Sequence, residues 1–151
     1  MQKSSCLKWV TLILSISVLA GCASSGSSDI FTQQTQKDYS NMYLRGVFNW
    51  WEAGDDYKLI AQSSDEYSVT IELIADGQPY DFKVADNIWS MALNCGNRFG
   101  AVPMQLNDSV ELVCASDSLN LQFTPSETGF YTFTLDVSDN DEPELSIARR
   151  N

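Results

Sequence analysis

The sequence predicts an all-β protein, a β-sandwich of about seven to nine short strands, and three observations predict it. Apolar residues recur with period two in Tyr67-Val69-Ile71-Leu73, Leu119-Leu121-Phe123 and Tyr131-Phe133-Leu135-Val137. A strand puts successive side chains on opposite faces, so each run carries one buried face, and no window of similar length has the 3.6-residue period of a helix. Turn-forming residues separate these runs, at Gly54-Asp55-Asp56, Ser63-Ser64-Asp65, Ala75-Asp76-Gly77, Asn107-Asp108-Ser109, Ser126 to Gly129 and Ser138 to Pro143. Finally, the stretch from Met42 to Ala148 is rich in β-branched and aromatic residues and has the length of one domain with one core.

The chain begins differently. Lys3 and Lys8 precede an apolar run from Trp9 to Ala20 that is too short to be read as a membrane span, so residues 1–21 are expected to be a secretory signal peptide. Its end, Leu19-Ala20-Gly21-Cys22, resembles a bacterial lipobox, which implies lipidation of Cys22. Two or more acyl chains, at about 0.8 kcal/mol per buried methylene, hold a protein stably on a membrane. With Ala23 and Ser24 next and no aspartate beside the cysteine, the resemblance implies a lipid-anchored protein of the bacterial outer membrane. Residues 22–41 are expected to be the lipidated cysteine and a flexible tether, because only Ile30, Phe31 and Tyr39 are larger apolar or aromatic residues there. The domain then spans 42–148, and 149–151 is a tail.

Charge and cysteine count narrow the function classes. The net charge is −11, and losing Lys3 and Lys8 with the leader makes the exported part more acidic still. Nucleic acid is not an expected partner, since phosphate binding draws on clustered Lys and Arg. Cys6 leaves with the leader and Cys22 takes lipid, so Cys95 and Cys114 remain as a pair expected to form a disulfide in an oxidising compartment. No metal site is expected from two cysteines and no histidine. The acidic stretch Asp136 to Glu144 lacks the glycine and terminal glutamate spacing of a calcium loop and is read as a solvated turn. The absence of histidine removes Ser-His and Cys-His chemistry, and a small sandwich offers little room for the deep cleft of a glycosidase, so no enzyme activity and no cofactor is expected.

Tryptophan carries the functional signal. Outside the leader it occurs only in Phe48-Asn49-Trp50-Trp51 and at Trp89, after Phe82-Lys83-Val84-Ala85-Asp86. The segment Met42-Tyr43-Leu44-Arg45-Gly46-Val47-Phe48-Asn49-Trp50-Trp51 resembles the first strand and loop of the starch- and glycogen-binding domains that accompany pullulanases, branching enzymes and related α-glucan enzymes, with Gly46, Phe48, Asn49 and Trp51 fitting the pattern. The run from Phe82 to Asp86 followed by Trp89 is similar to the family's second motif, Asn97-Arg98-Phe99-Gly100-Ala101 to its Asn-Phe-Gly-Ala segment, and Asn120 before Leu121 and Phe123 to its later strand. The resemblance spans roughly residues 42–147 and implies an immunoglobulin-like, early-set fold.

It also implies a site in which Trp51 and Trp89 stack on glucose rings while Lys83 and Asn120 hydrogen-bond hydroxyls. One such module is expected to bind at about −4 to −7 kcal/mol. Each residue has a structural reading beside the functional one. Trp50 is read as core or loop packing; Trp51 and Trp89 are read either as packing or as ligand contacts. Lys83 is read as a sugar ligand or as an outward lysine with a packed stem, with Phe82 and Val84 facing inward, and Asn120 as a sugar ligand or as turn chemistry. The expected function is that of a membrane-anchored lipoprotein binding α-glucan without catalysis, with a glucan-active enzyme or an envelope protein as a further partner. The alternative is a lipoprotein using the same sandwich for protein–protein interaction.

Overall fold

Alternation of buried and exposed residues builds the two faces of the fold. The computed structural model describes residues 36–100 and 103–150, all within one unit spanning Gln34–Asn151. The leader, Cys22, Cys6 and Ala101 lie outside the described residues. The strands are β1 (Tyr43–Gly46), β2 (Ile60–Ala61), β3 (Glu66–Leu73), β4 (Tyr80–Ala85), β5 (Asn94–Gly96), β6 (Ser109–Glu111), β7 (Val113–Cys114), β8 (Leu121–Phe123), β9 (Gly129–Asp136) and β10 (Glu144–Arg149). The only helical elements among the described residues are short 3₁₀ turns, so the fold is all-β. The count exceeds seven to nine because β2 and β7 are two-residue strands that leave little periodicity to read.

All pairings within named strands are antiparallel, and they make two sheets. One has the order β2-β3-β9-β10-β6. The other runs β1-β4-β5-β7, with β8 also on β4. In that second sheet β4 is shared three ways. β1 lies along residues 82–85, while β8 at residues 80–82 and β5 at residues 84–85 follow one another along the opposite edge. The period-two runs supply the core: Val69, Ile71 and Leu73 of β3 and Tyr131, Phe133 and Leu135 of β9 face Leu44, Phe82, Val84, Leu121 and Phe123 of the other sheet. Phe82 meets Phe133 edge-on with ring centroids 5.3 Å apart, and Phe123 meets Tyr131 at 5.4 Å. Such pairs contribute about 0.5–1.5 kcal/mol beyond the area they bury.

Cys95 and Cys114 are disulfide-bonded, joining register partners on β5 and β7. The boundary expected at Met42 moves upstream. Tyr39 is 3% exposed and its hydroxyl donates to the Asn140 carbonyl at 3.0 Å, while the Lys37 amide donates to Asn140 Oδ1 at 3.1 Å. One aromatic ring in a polar stretch is enough when a turn of the domain, here the one before β10, offers it a slot.

Candidate functional site

Because Phe82 and Val84 are fully buried, period two sends Asp81 and Lys83 of β4 to the outer face of their sheet. Across β1 the register partner of Lys83 is Arg45. On the other edge, continuing the β4–β8 register by one residue sets Asn120 opposite Lys83. Continuing the β4–β5 pairing likewise sets Gly96 beside it. A Cβ on Gly96 would lie 2.2 Å from the Leu119 carbonyl oxygen and 3.4 Å from Lys83 Cε, so only glycine lets that strand pass under the lysine. The outcome is a polar floor on one face of the sheet.

Two loops bring tryptophans over this floor. In the first, Asn49 ties the turn after β1: its amide donates to the carbonyls of Leu44 (2.9 Å) and Glu52 (3.1 Å), and its Oδ1 accepts from the Gly46 amide at 2.9 Å. Gly46 permits the crossing, since a Cβ there would lie 2.6 Å from the Asp81 carbonyl oxygen. In the second loop, Asp86 Oδ1 accepts from the Ser90 amide at 2.8 Å and closes the turn that carries Trp89. Arg45 joins the two. It is 5% exposed, its Nε donates to the Trp51 carbonyl and its Nη1 to the Asp86 carbonyl, both at 2.7 Å, and its guanidinium carbon lies 3.9 Å from the centroid of the Trp89 ring. Burial pulls the guanidinium pKa down while Glu52 and Asp86 push it back up.

Trp51 and Trp89 thereby meet, with ring centroids 6.3 Å apart and planes inclined by 42°. They form one bent apolar surface, Trp51 half-buried and Trp89 37% exposed. Both sit on left-handed backbone, Trp51 at φ 63° and Trp89 at φ 58°, as does Trp50 at φ 55°. Bulky residues rarely adopt this region, at a cost of about 1–2 kcal/mol each, and backbone outliers of this kind cluster at binding sites. The two rings, with Lys83, Asn94, Ser116 and Asn120, line an open depression of about 480 Å³, within the usual range for small-ligand sites.

All four residues singled out from the sequence, Trp51, Lys83, Trp89 and Asn120, therefore line one depression. Lys83 lies on the outer face of its sheet but is enclosed there by neighbouring groups. It is 8% exposed, and its ammonium donates to Asn94 Oδ1 (3.3 Å), Ser118 Oγ (2.9 Å) and the Ser118 carbonyl. A ligand hydroxyl reaching Nζ has to displace one of these. Burial lowers the Lys83 pKa, with Asp117 acting in the opposite sense. Trp50, read from the sequence as packing, is instead 87% exposed. The loop closes by the Trp51 amide donating to the Gly46 carbonyl at 2.9 Å, and this turn leaves its neighbour facing solvent.

Arg45, Asn94, Ser116 and Ser118 were not identified as site residues from the sequence. Arg45 carried a signal, a charge one position before the glycine of the motif and on the outward parity of its strand. Asn94 and Ser118 carried none: the β4–β5 pairing brings Asn94 to Lys83, and the turn before Leu119, which pairs with Asn97, brings Ser118.

No protein-family model matches the chain, and no curated protein resembles it significantly in sequence. A solved structure described as "Ligand induced structure of AmyP-SBD" is similar in fold, with a TM-score of 0.53, at 16% identity, over 73% of this chain and 72% of the other. The likeness concerns the fold, an all-β sandwich of two antiparallel sheets.

Proposed function

We propose that this chain is a non-catalytic lipoprotein that binds α-glucan at the Trp51–Trp89 depression and is anchored to the bacterial outer membrane through Cys22. The observation that carries the reading is the bent pair of indole faces above a polar floor, held on left-handed backbone by Arg45. Flat apolar faces stack on the C–H faces of sugars, and the amides of Asn94 and Asn120 and the hydroxyl of Ser116 supply donors and acceptors for hydroxyl groups. The neighbour in fold is a starch-binding domain, which agrees with this reading. Many copies on one membrane gain avidity from weak single sites.

The test is retardation of the protein in native gels containing glycogen, pullulan or soluble starch, alongside Trp51→Ala and Trp89→Ala. Retardation of the wild type and its loss in both variants is the expected outcome; unchanged wild-type mobility in every glucan overturns the reading. A second reading, docking of an envelope protein or a glucan-active enzyme, is favoured by the bare indole of Trp50. It predicts that Trp50→Ala abolishes co-purification of a partner while leaving gel retardation intact.

A further inference from the structure

The outer face of β4 continues past the tryptophans. Asp81 lies two residues before Lys83 on the same face, and its register partner on β8 is Gln122, which lies two residues after Asn120. Gln122 Nε2 donates to Asp81 Oδ1 at 2.7 Å. Both side chains are only partly buried. Together with Gly100, Ser118, Leu119 and Asn120 they line a second open depression of about 370 Å³. Asn120 lines both depressions, and Ser118, which holds the Lys83 ammonium in the first, lines the second. The two polar rows, Lys83–Asn120 and Asp81–Gln122, follow each other along the strands about 7 Å apart, close enough for one oligosaccharide to span both.

We propose that the two depressions form one groove and that Asp81 and Gln122 make a second subsite for the next sugars of the same chain, so that the protein recognises an extended run of glucose units instead of a chain end or a disaccharide. This rests on the glucan-binding reading above. The Asp81 carboxylate accepts hydrogen bonds from sugar hydroxyls, the Gln122 amide both donates and accepts, and the half-exposed Leu119 supplies an apolar wall. Asn120 is the hinge between subsites, so its loss affects every ligand, whereas loss of Gln122 affects only ligands long enough to pass it.

The experiment is calorimetric titration of the full chain in a polyoxyethylene detergent, since maltoside detergents would compete, with maltose, maltotriose and maltoheptaose. Wild type is expected to bind maltoheptaose about tenfold or more tightly than maltose, the scale of one or two added hydrogen bonds. Gln122→Ala and Asp81→Asn are expected to erase that gain and keep maltose affinity, while Trp51→Ala loses binding to all three. Amide shifts at Gly100 and Leu119 should move with maltoheptaose and stay fixed with maltose, a readout that needs no variant to fold. No gain with length, a gain that survives both substitutions, or shifts confined to the tryptophan loops overturns the second subsite and leaves the first intact. No binding of any oligosaccharide by wild type overturns both.

Discussion

Arg45 is the residue whose removal tests the site most directly. It makes two hydrogen bonds from a charged group to carbonyls of different loops, at 2.7 Å each, and packs its guanidinium over Trp89 at 3.9 Å, all while nearly buried. A hydrogen bond from a charged donor contributes about 1.5–3 kcal/mol, and a desolvated cation–π contact about 1–2 kcal/mol. Arg45→Ala is therefore expected to lower stability by roughly 4–8 kcal/mol, a large share of the typical 5–15 kcal/mol for a domain. Arg45→Lys keeps the charge but cannot span both carbonyls, and should lose about half as much. Urea unfolding followed by tryptophan fluorescence measures both, and the native spectrum should shift as the Trp51 and Trp89 loops come apart. The lysine variant should also lose glucan retardation even though it folds, because the two rings no longer hold their inclination. An Arg45→Lys protein with wild-type stability, spectrum and retardation refutes the argument that this guanidinium positions the tryptophans.

Other consequences are as concrete. Gly96→Ala puts a Cβ against the Leu119 carbonyl oxygen, so β5 and the strand leading to Asn120 must separate, and thermal denaturation should show a loss of several kcal/mol, on the order of other strained core substitutions. Trp50→Gly should stabilise the protein by up to about 1 kcal/mol, since the left-handed backbone costs more for tryptophan than glycine loses in entropy and no packing is given up. Removing the disulfide with Cys95→Ala and Cys114→Ala should cost roughly 3 kcal/mol for a bridge that spans a sequence separation of 19, read from urea midpoints.

The Tyr39 hydroxyl is pushed up to about 12, by burial first and by Asp141 and Asp139 after it. The folded state then keeps a proton that the unfolded chain releases near pH 10. Stability should therefore fall from about pH 10 to about pH 12, and Tyr39→Phe should flatten that slope. Lys83 acts in the opposite sense: its lowered pKa means that the unfolded chain binds more protons just below pH 10.5, so its contribution rises with pH there. Comparing Tyr39→Phe with Lys83→Met in alkaline unfolding separates the two.

What the sequence determined follows from period two. Alternation in β3, β8 and β9 identified the strands and their buried faces, because parity is a local property that a register shift cannot hide. The turns fell where glycine, asparagine and aspartate stand, and Cys95 and Cys114, the two cysteines of the domain, are bonded to one another. Four residues that line one depression were legible from their motifs. The same parity gave the outward direction of Lys83 but not what it meets there.

Only the tertiary structure decided that, since Asn94 and Ser118 reach the lysine across pairings between residues distant in sequence. It also decided where the neighbour of Trp51 goes. The motif singles out Trp51 and leaves Trp50 to be read as packing, but the closure of one loop onto Gly46 and Arg45 turns the Trp51 indole over the sheet and the Trp50 indole into water. Tyr39 shows the same principle at the other end of the domain: a single aromatic residue carries no periodicity, and whether it packs depends on whether a distant turn leaves it a place.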